Sequence, residues 1–109
     1  MTKVTIYKNE KKECVGFKVF GHAGYAKEGE DIVCAAISIL VINTMNAIES
    51  FTDVKFSQET DEEQGFIKYH IENPTKETTL LLDTMILGLQ TLEDNEDYTD
   101  YIDLIFEEV

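Results

Sequence analysis

The sequence predicts an α+β domain: a two-layer ββαββαβ sandwich whose helices pack on a mostly antiparallel sheet. Three observations carry that expectation. Two pairs of short alternating segments are each joined by a polar turn and read as hairpins. Two longer segments carry apolar residues at helical spacing, and the chain closes on one more alternating segment. A chain of 109 residues fits one compact domain, taken as residues 1–109. Hydrophobic residues make up 43% of it, six Phe and five Tyr among them, which is enough to bury a core.

The elements follow in order. Residues 3–8 alternate Val4 and Ile6 against Thr5 and Tyr7, and Asn9 to Lys12 make a polar turn. Residues 13–20 place Val15, Phe17 and Val19 on one face, with Cys14, Gly16 and Lys18 on the other. A loop, Gly21 to Glu30, holds three glycines in nine residues without sustained periodicity. A helix over 31–51 is expected next, apolar nearly all round in its first half, so it must be covered from more than one side. A second helix or a second subunit can supply that cover. A second hairpin is expected from 53–58 and 65–72, turning at Glu59 to Gln64, and Asn73-Pro74 then breaks the chain. Leu82, Met85, Ile86, Leu89 and Leu92 mark an amphipathic helix over 76–93. The acidic stretch Glu93 to Asp100 reads as a solvated loop, and Tyr101 to Glu107 as a last strand.

Composition excludes several function classes. Asp and Glu number 22 against 9 Lys and Arg, a formal net charge of −13, which repels phosphate backbones and argues against direct nucleic-acid binding. Such a surface attracts basic peptides or proteins, although on composition alone the better explanation is that the charge only maintains solubility. Met1 to Lys12 lacks the apolar core of a signal peptide. The most apolar run, Ile32 to Ile42, is about half the length that spans a bilayer, so no membrane association is expected. Two cysteines are too few for a disulfide framework or a four-cysteine zinc site. A cytoplasmic chain with reduced thiols is the expectation, and it needs no cofactor.

One constellation carries chemistry. Asp31 is a favoured N-cap at the expected start of the first helix, which would put Cys34 at the third helical position. Unpaired N–H groups and the positive end of the helix dipole gather there, stabilising a thiolate and offering donors to an oxyanion. His22 lies twelve residues earlier and, if the loop folds back, can take the thiol proton and return it to a leaving amine. Asp31, Cys34 and Ser38 share one helix face, so Asp31 can cap or orient His22 and Ser38 can bond near the sulfur. The ordinary alternatives are plain. A cysteine in an apolar helix is most often a small core residue, and Ser38 most simply bonds back to a carbonyl one turn earlier. Cys14 and His70 lie on strands and read as structural or solvated. His22 with Cys34 gives too few ligands for a metal, so none is expected.

Gly21-His22-Ala23-Gly24, followed by Gly29-Glu30-Asp31-Ile32-Val33-Cys34-Ala35-Ala36-Ile37-Ser38, resembles the signature of the ribosomal-processing cysteine proteases, the Prp family. That signature pairs a Gly-His-Ala with an Asp-x-Val-Cys-Ala-Ala-x-Ser helix start across a glycine-containing loop. The resemblance covers essentially the whole chain and implies Cys34 as nucleophile, His22 as general acid/base, and Asp31 and Ser38 as supporting residues. It also implies a homodimer and a glycine-rich loop, here Gly24, Tyr25 and Gly29, that closes over the bound peptide. The implied substrate is a large-subunit ribosomal protein with a short N-terminal extension, cut near paired phenylalanines just ahead of a basic segment. A basic substrate suits an acidic enzyme, since complementary charge raises the encounter rate. The rival reading is non-enzymatic: an acidic accessory protein that binds ribosomal proteins or assembling ribosomes. A redox sensor is a third, weakened by the lack of a resolving cysteine nearby in the sequence.

Overall fold

The fold is that of a computed structural model, which describes residues 1–21 and 28–109, with backbone alone at 28–31. The order is β1 (Thr2–Lys8), β2 (Cys14–Gly21), α1 (Glu28–Phe51), β3 (Phe56–Asp61), β4 (Phe66–Ile71), α2 (Lys76–Asp94), a short 3₁₀ turn (Thr99–Tyr101) and β5 (Ile102–Glu108). The expected ββαββαβ sandwich is what forms. The five strands make one sheet in the order β3-β4-β2-β1-β5. All pairs are antiparallel except β1 with β5, which run parallel because α2 carries the chain back across the sheet.

Register explains the core. Leu104, Val4, Val19, Ile67 and Thr60 form one cross-strand row, and Phe106, Ile6, Phe17, Tyr69 and Gln58 the next. The central members of both rows are buried under the helices, whereas Gln58 and Thr60, on the edge strand, are exposed. Phe17 stacks on Tyr69 at 5.3 Å, and Phe56 lies 5.2 Å from the same ring. Helix α1 sinks Val33, Ile37, Val41, Met45 and Ile48 onto this floor, and α2 adds Leu82, Met85, Ile86 and Leu89. The helices meet where Gly88 of α2 admits Leu40 of α1; a Cβ at Gly88 would come within 2.9 Å of that leucine. Helix α2 opens with a capping box, in which the Thr75 hydroxyl accepts from the Thr78 N–H and the Thr78 hydroxyl from the Thr75 N–H.

Some expectations need correction. Within the single chain α1 is covered only in part: Ile32, Ile39 and Ile42 are 52%, 69% and 46% exposed. Its apolar stretch also runs on past Ile42. The 20 residues Ile32–Phe51, of mean hydropathy 1.8, are long and apolar enough to cross a bilayer by length and composition alone, yet their inner stripe is core. Strand β3 begins later than expected, at Phe56, and takes in Glu59 to Asp61 from the expected turn. Asp61 then caps the turn itself, its carboxylate accepting from the N–H groups of Glu63 and Gln64, and Gly65 completes it at φ 61°. In the β1–β2 turn the Asn9 side-chain oxygen accepts from Lys11 and Glu13, and Lys12 takes the left-handed conformation at φ 63°.

Two consequences are measurable. A Cβ on Gly16 would run into the backbone carbonyl of Tyr69 on β4, which cannot yield as a side chain can. Gly16→Ala is expected to cost about 2 kcal/mol in urea unfolding. Burial also raises the Cys14 thiol from 9.0 to about 11 and the Tyr69 phenol from 10.0 to about 12. Both neutral forms are favoured in the fold, so their contribution is whole below the ordinary values and lost as pH rises through the raised ones. The melting temperature is expected to fall between pH 9 and about pH 11, and to fall less steeply in Cys14→Ala.

Candidate active site

Strand β3 lies outside the span that α1 and α2 cover, and this leaves a cleft of about 410 Å³ between α1 and the β3–β4 side of the sheet. Helix α1 supplies one wall through Cys34, Ser38, Ile42 and Asn46, steps of four residues that fall in one row along the helix. Strand β3 and its turn supply the other through Gln58, Thr60, Asp61 and Glu62. Val19, Ile37, Met45 and Ile67 line it with apolar surface, and Thr2 and Gly21 line it from the ends of β1 and β2. A larger hollow of about 610 Å³ near Phe51 and Thr75 has no cysteine, histidine or serine in its lining, so size alone does not mark the site.

The two thiols have separate fates. Cys14 is fully buried in the core, where it donates to the Gly16 carbonyl at 3.4 Å and burial keeps it protonated. Cys34 is partly exposed and opens into the cleft. Ser38 stands one turn further along the same wall, as the shared helix face requires. His70 is exposed on β4.

The start of α1 differs from expectation. The helix begins at Glu28, so Asp31 is its fourth residue rather than its N-cap, and Cys34 its seventh rather than its third. Only the first four N–H groups of a helix lack intrahelical partners, and the dipole's influence fades within that first turn. Cys34 therefore does not draw on unpaired N–H groups as expected. The cause is legible in Glu28-Gly29-Glu30-Asp31: acidic residues favour a first helical turn, so the helix runs back into the expected loop and takes Gly29 with it. The Asp31 side chain, with His22, Gly24 and Tyr25, lies outside the described residues. Gly21, immediately before His22, is described. It lines the same cleft as Cys34, and its N–H donates to the Gly65 carbonyl at 3.2 Å.

Sequence reasoning missed most of the cleft. Ile42 and Asn46 could have been found by carrying the Cys34–Ser38 spacing further along the helix. Gln58, Thr60, Asp61 and Glu62 could not, because the strand that holds them has no inward apolar residue beyond Phe56 to fix its register. Among the described residues, no cluster of His, Cys, Asp and Glu is placed to hold a metal ion.

Comparison with known proteins bears on this geometry. Residues 1–103 match the family described as Cysteine protease Prp. The ribosomal processing cysteine protease Prp of Staphylococcus aureus (strain Mu50 / ATCC 700699) is 31% identical over 105 residues, covering 95% of this chain and 97% of that protein. A crystal structure of an essential ribosomal processing protease Prp from S. aureus in complex with a substrate peptide superposes with a TM-score of 0.90 at 30% identity, covering 98% of this chain and all of that one. A second, with a covalently linked product peptide, gives a TM-score of 0.85 at 30% identity over the same shares. The family match over residues 1–103, on a fold shared with those structures over 98% of its length, places this chain in the Prp family of cysteine proteases.

Proposed function

We propose that the protein is a sequence-specific endopeptidase that removes the N-terminal extension of a large-subunit ribosomal protein, with Cys34 as nucleophile and His22 as general acid/base. One observation supports the pairing: Gly21, the residue before His22 in the sequence, lines the same cleft that Cys34 opens into. His22 takes the proton from the Cys34 thiol, and the sulfur attacks the scissile carbonyl. The tetrahedral adduct collapses, the C–N bond breaks, and the leaving amine takes the proton from His22. Water, deprotonated by His22, then cleaves the thioester and releases the carboxylate product. A relative that holds a covalently linked product peptide supports this chemistry. Ser38 supports the thiol from the next turn and Asp31 orients His22, while Gly24 and Tyr25 close over the peptide. Asp61 and Glu62 at the lip, in a chain of net charge −13, favour a basic substrate such as a ribosomal protein.

The protein is further proposed to be cytoplasmic, where its substrate is made, and to work as a homodimer. The exposed Ile32 and Ile39 of α1 support the dimer, being large apolar side chains left uncovered on one helix face.

Cys34→Ala and His22→Ala are each expected to abolish cleavage of the extended ribosomal protein, followed by the mass of the product, while Cys14→Ala keeps it. Turnover by Cys34→Ala sinks the assignment, and binding without turnover by the wild-type protein favours the accessory-protein reading. Raising ionic strength is expected to lower kcat/KM. Ile39→Glu is expected to shift the sedimentation of the protein from dimer to monomer.

A further inference from the structure

The sheet has a second face, and its character differs from that of the chain as a whole. Side chains alternate across a strand, so the residues between the core rows point away from both helices. On the central strands they form three rows: Lys3, Phe20 and Phe66; Thr5, Lys18 and Lys68; Tyr7, Gly16 and His70. This block holds three lysines and none of the chain's 22 Asp and Glu. Carboxylates stand on the flanking strands instead, Asp103 and Glu107 on β5 and Glu59 and Asp61 on β3. Phe20 is 51% exposed and meets Phe66 edge-to-face at 6.4 Å. With Lys3 and Lys18 the two rings line a hollow of about 560 Å³, on the other side of the β3–β4 hairpin from Cys34. Lys18 and Lys68 are direct cross-strand partners. Like charges so placed repel. Among the described residues neither lysine makes an ion pair, although Glu59 stands across from Lys68. An anion lying over the two would relieve that repulsion.

We propose that this face is a binding platform for single-stranded RNA, with bases against Phe20 and Phe66 and phosphates over Lys3, Lys18 and Lys68. Exposed rings among lysines suit that polymer in particular. Each nucleotide brings a flat π-face and a negative charge, and stacking on aromatic side chains tolerates every base. An acidic peptide answers the lysines but leaves the rings without a flat partner. The net charge of −13 does not govern so local a surface, because charges are screened over about 8 Å at physiological ionic strength. The flanking carboxylates act as rims. A single strand can run along β2 between them, whereas a duplex carries phosphates on both of its strands and sets some of them over the rims. RNA is the occupant rather than DNA because it is the abundant single strand of the cytoplasm proposed above.

A labelled, unstructured RNA of about ten nucleotides is titrated onto the wild-type protein by fluorescence anisotropy over a range of salt concentrations. With three phosphates neutralised, the logarithm of the binding constant is expected to fall against the logarithm of salt with a slope of about −2. Lys18→Ala and Lys68→Ala are each expected to weaken binding and to reduce that slope by about 0.7. Phe20→Ala is expected to weaken binding roughly five- to a hundred-fold with the slope unchanged, and Phe20→Tyr to retain it. Cleavage of the extended ribosomal protein is expected to be unchanged in Lys18→Ala and Lys68→Ala, so the two functions fail separately. A slope near zero overturns the platform, and so does full affinity in Phe20→Ala. Equal affinity for a duplex of the same sequence overturns it as well. Displacement of the RNA by an oligoglutamate peptide of equal charge overturns RNA in favour of an acidic protein, and tighter binding of the matching oligodeoxynucleotide overturns it in favour of DNA. Loss of cleavage in step with RNA binding shows that the face serves the protease reaction and overturns the proposal.

Discussion

Everything functional in this molecule depends on how α1 is seated on the sheet. Val33, Ile37, Val41, Met45 and Ile48 lie in a stripe along one side of the helix, pressed onto the rows through Val19 and Phe17. Interiors are packed at crystal-like density, so a helix held by such a stripe has little freedom to roll about its axis. The Cys34–Ser38–Ile42–Asn46 row stands beside that stripe, and its direction is fixed as a consequence. Helix α2 closes one flank of α1 at the Gly88–Leu40 contact. Among the described residues, no helix closes the flank toward β3. One buried interface thereby sets both the depth of the cleft and the heading of the thiol at its end.

The sequence made the architecture legible wherever a periodic apolar signal met a buried surface. Helix α2 was readable almost to the residue because Leu82, Met85, Ile86 and Leu89 keep a clean spacing and Pro74 blocks the chain ahead of its cap. Strands β1 and β2 were readable for the same reason. Strand β3 was readable as a strand but set three residues early, because an edge strand buries little and Ser57 to Asp61 have no inward apolar partner to betray their register. The start of α1 was misplaced because Gly29 argued for a loop and Asp31 for a cap, while the acidic turn they occupy is itself a good opening for a helix. The nucleophile candidate was legible from its motif. The cleft in front of it needed the fold, since its second wall comes from residues more than twenty positions away.

The two cysteines show how one side chain takes opposite parts according to its surroundings. Cys14 sits among core residues, where charge is disfavoured and the sulfur acts as a small apolar filler. Cys34 occupies the boundary between core and cleft, where a thiol can be reached. With the first-turn N–H groups of α1 behind it, the helix terminus contributes little to its activation.

The α1 wall also has a metric property. Residues four apart on a helix are about 6 Å apart along its axis, and alternate residues of an extended peptide about 6.6 Å. A peptide lying along Cys34, Ser38, Ile42 and Asn46 therefore meets the helix as one scale of a vernier meets the other. The two graduations slip by about 2 Å over three steps, so same-side peptide residues stay near their helical counterparts for that distance and then fall out of step. The cleft ends at Asn46, close to where the match is lost. An α-helix used as one edge of a peptide groove thus carries its own limit on how many residues it can read.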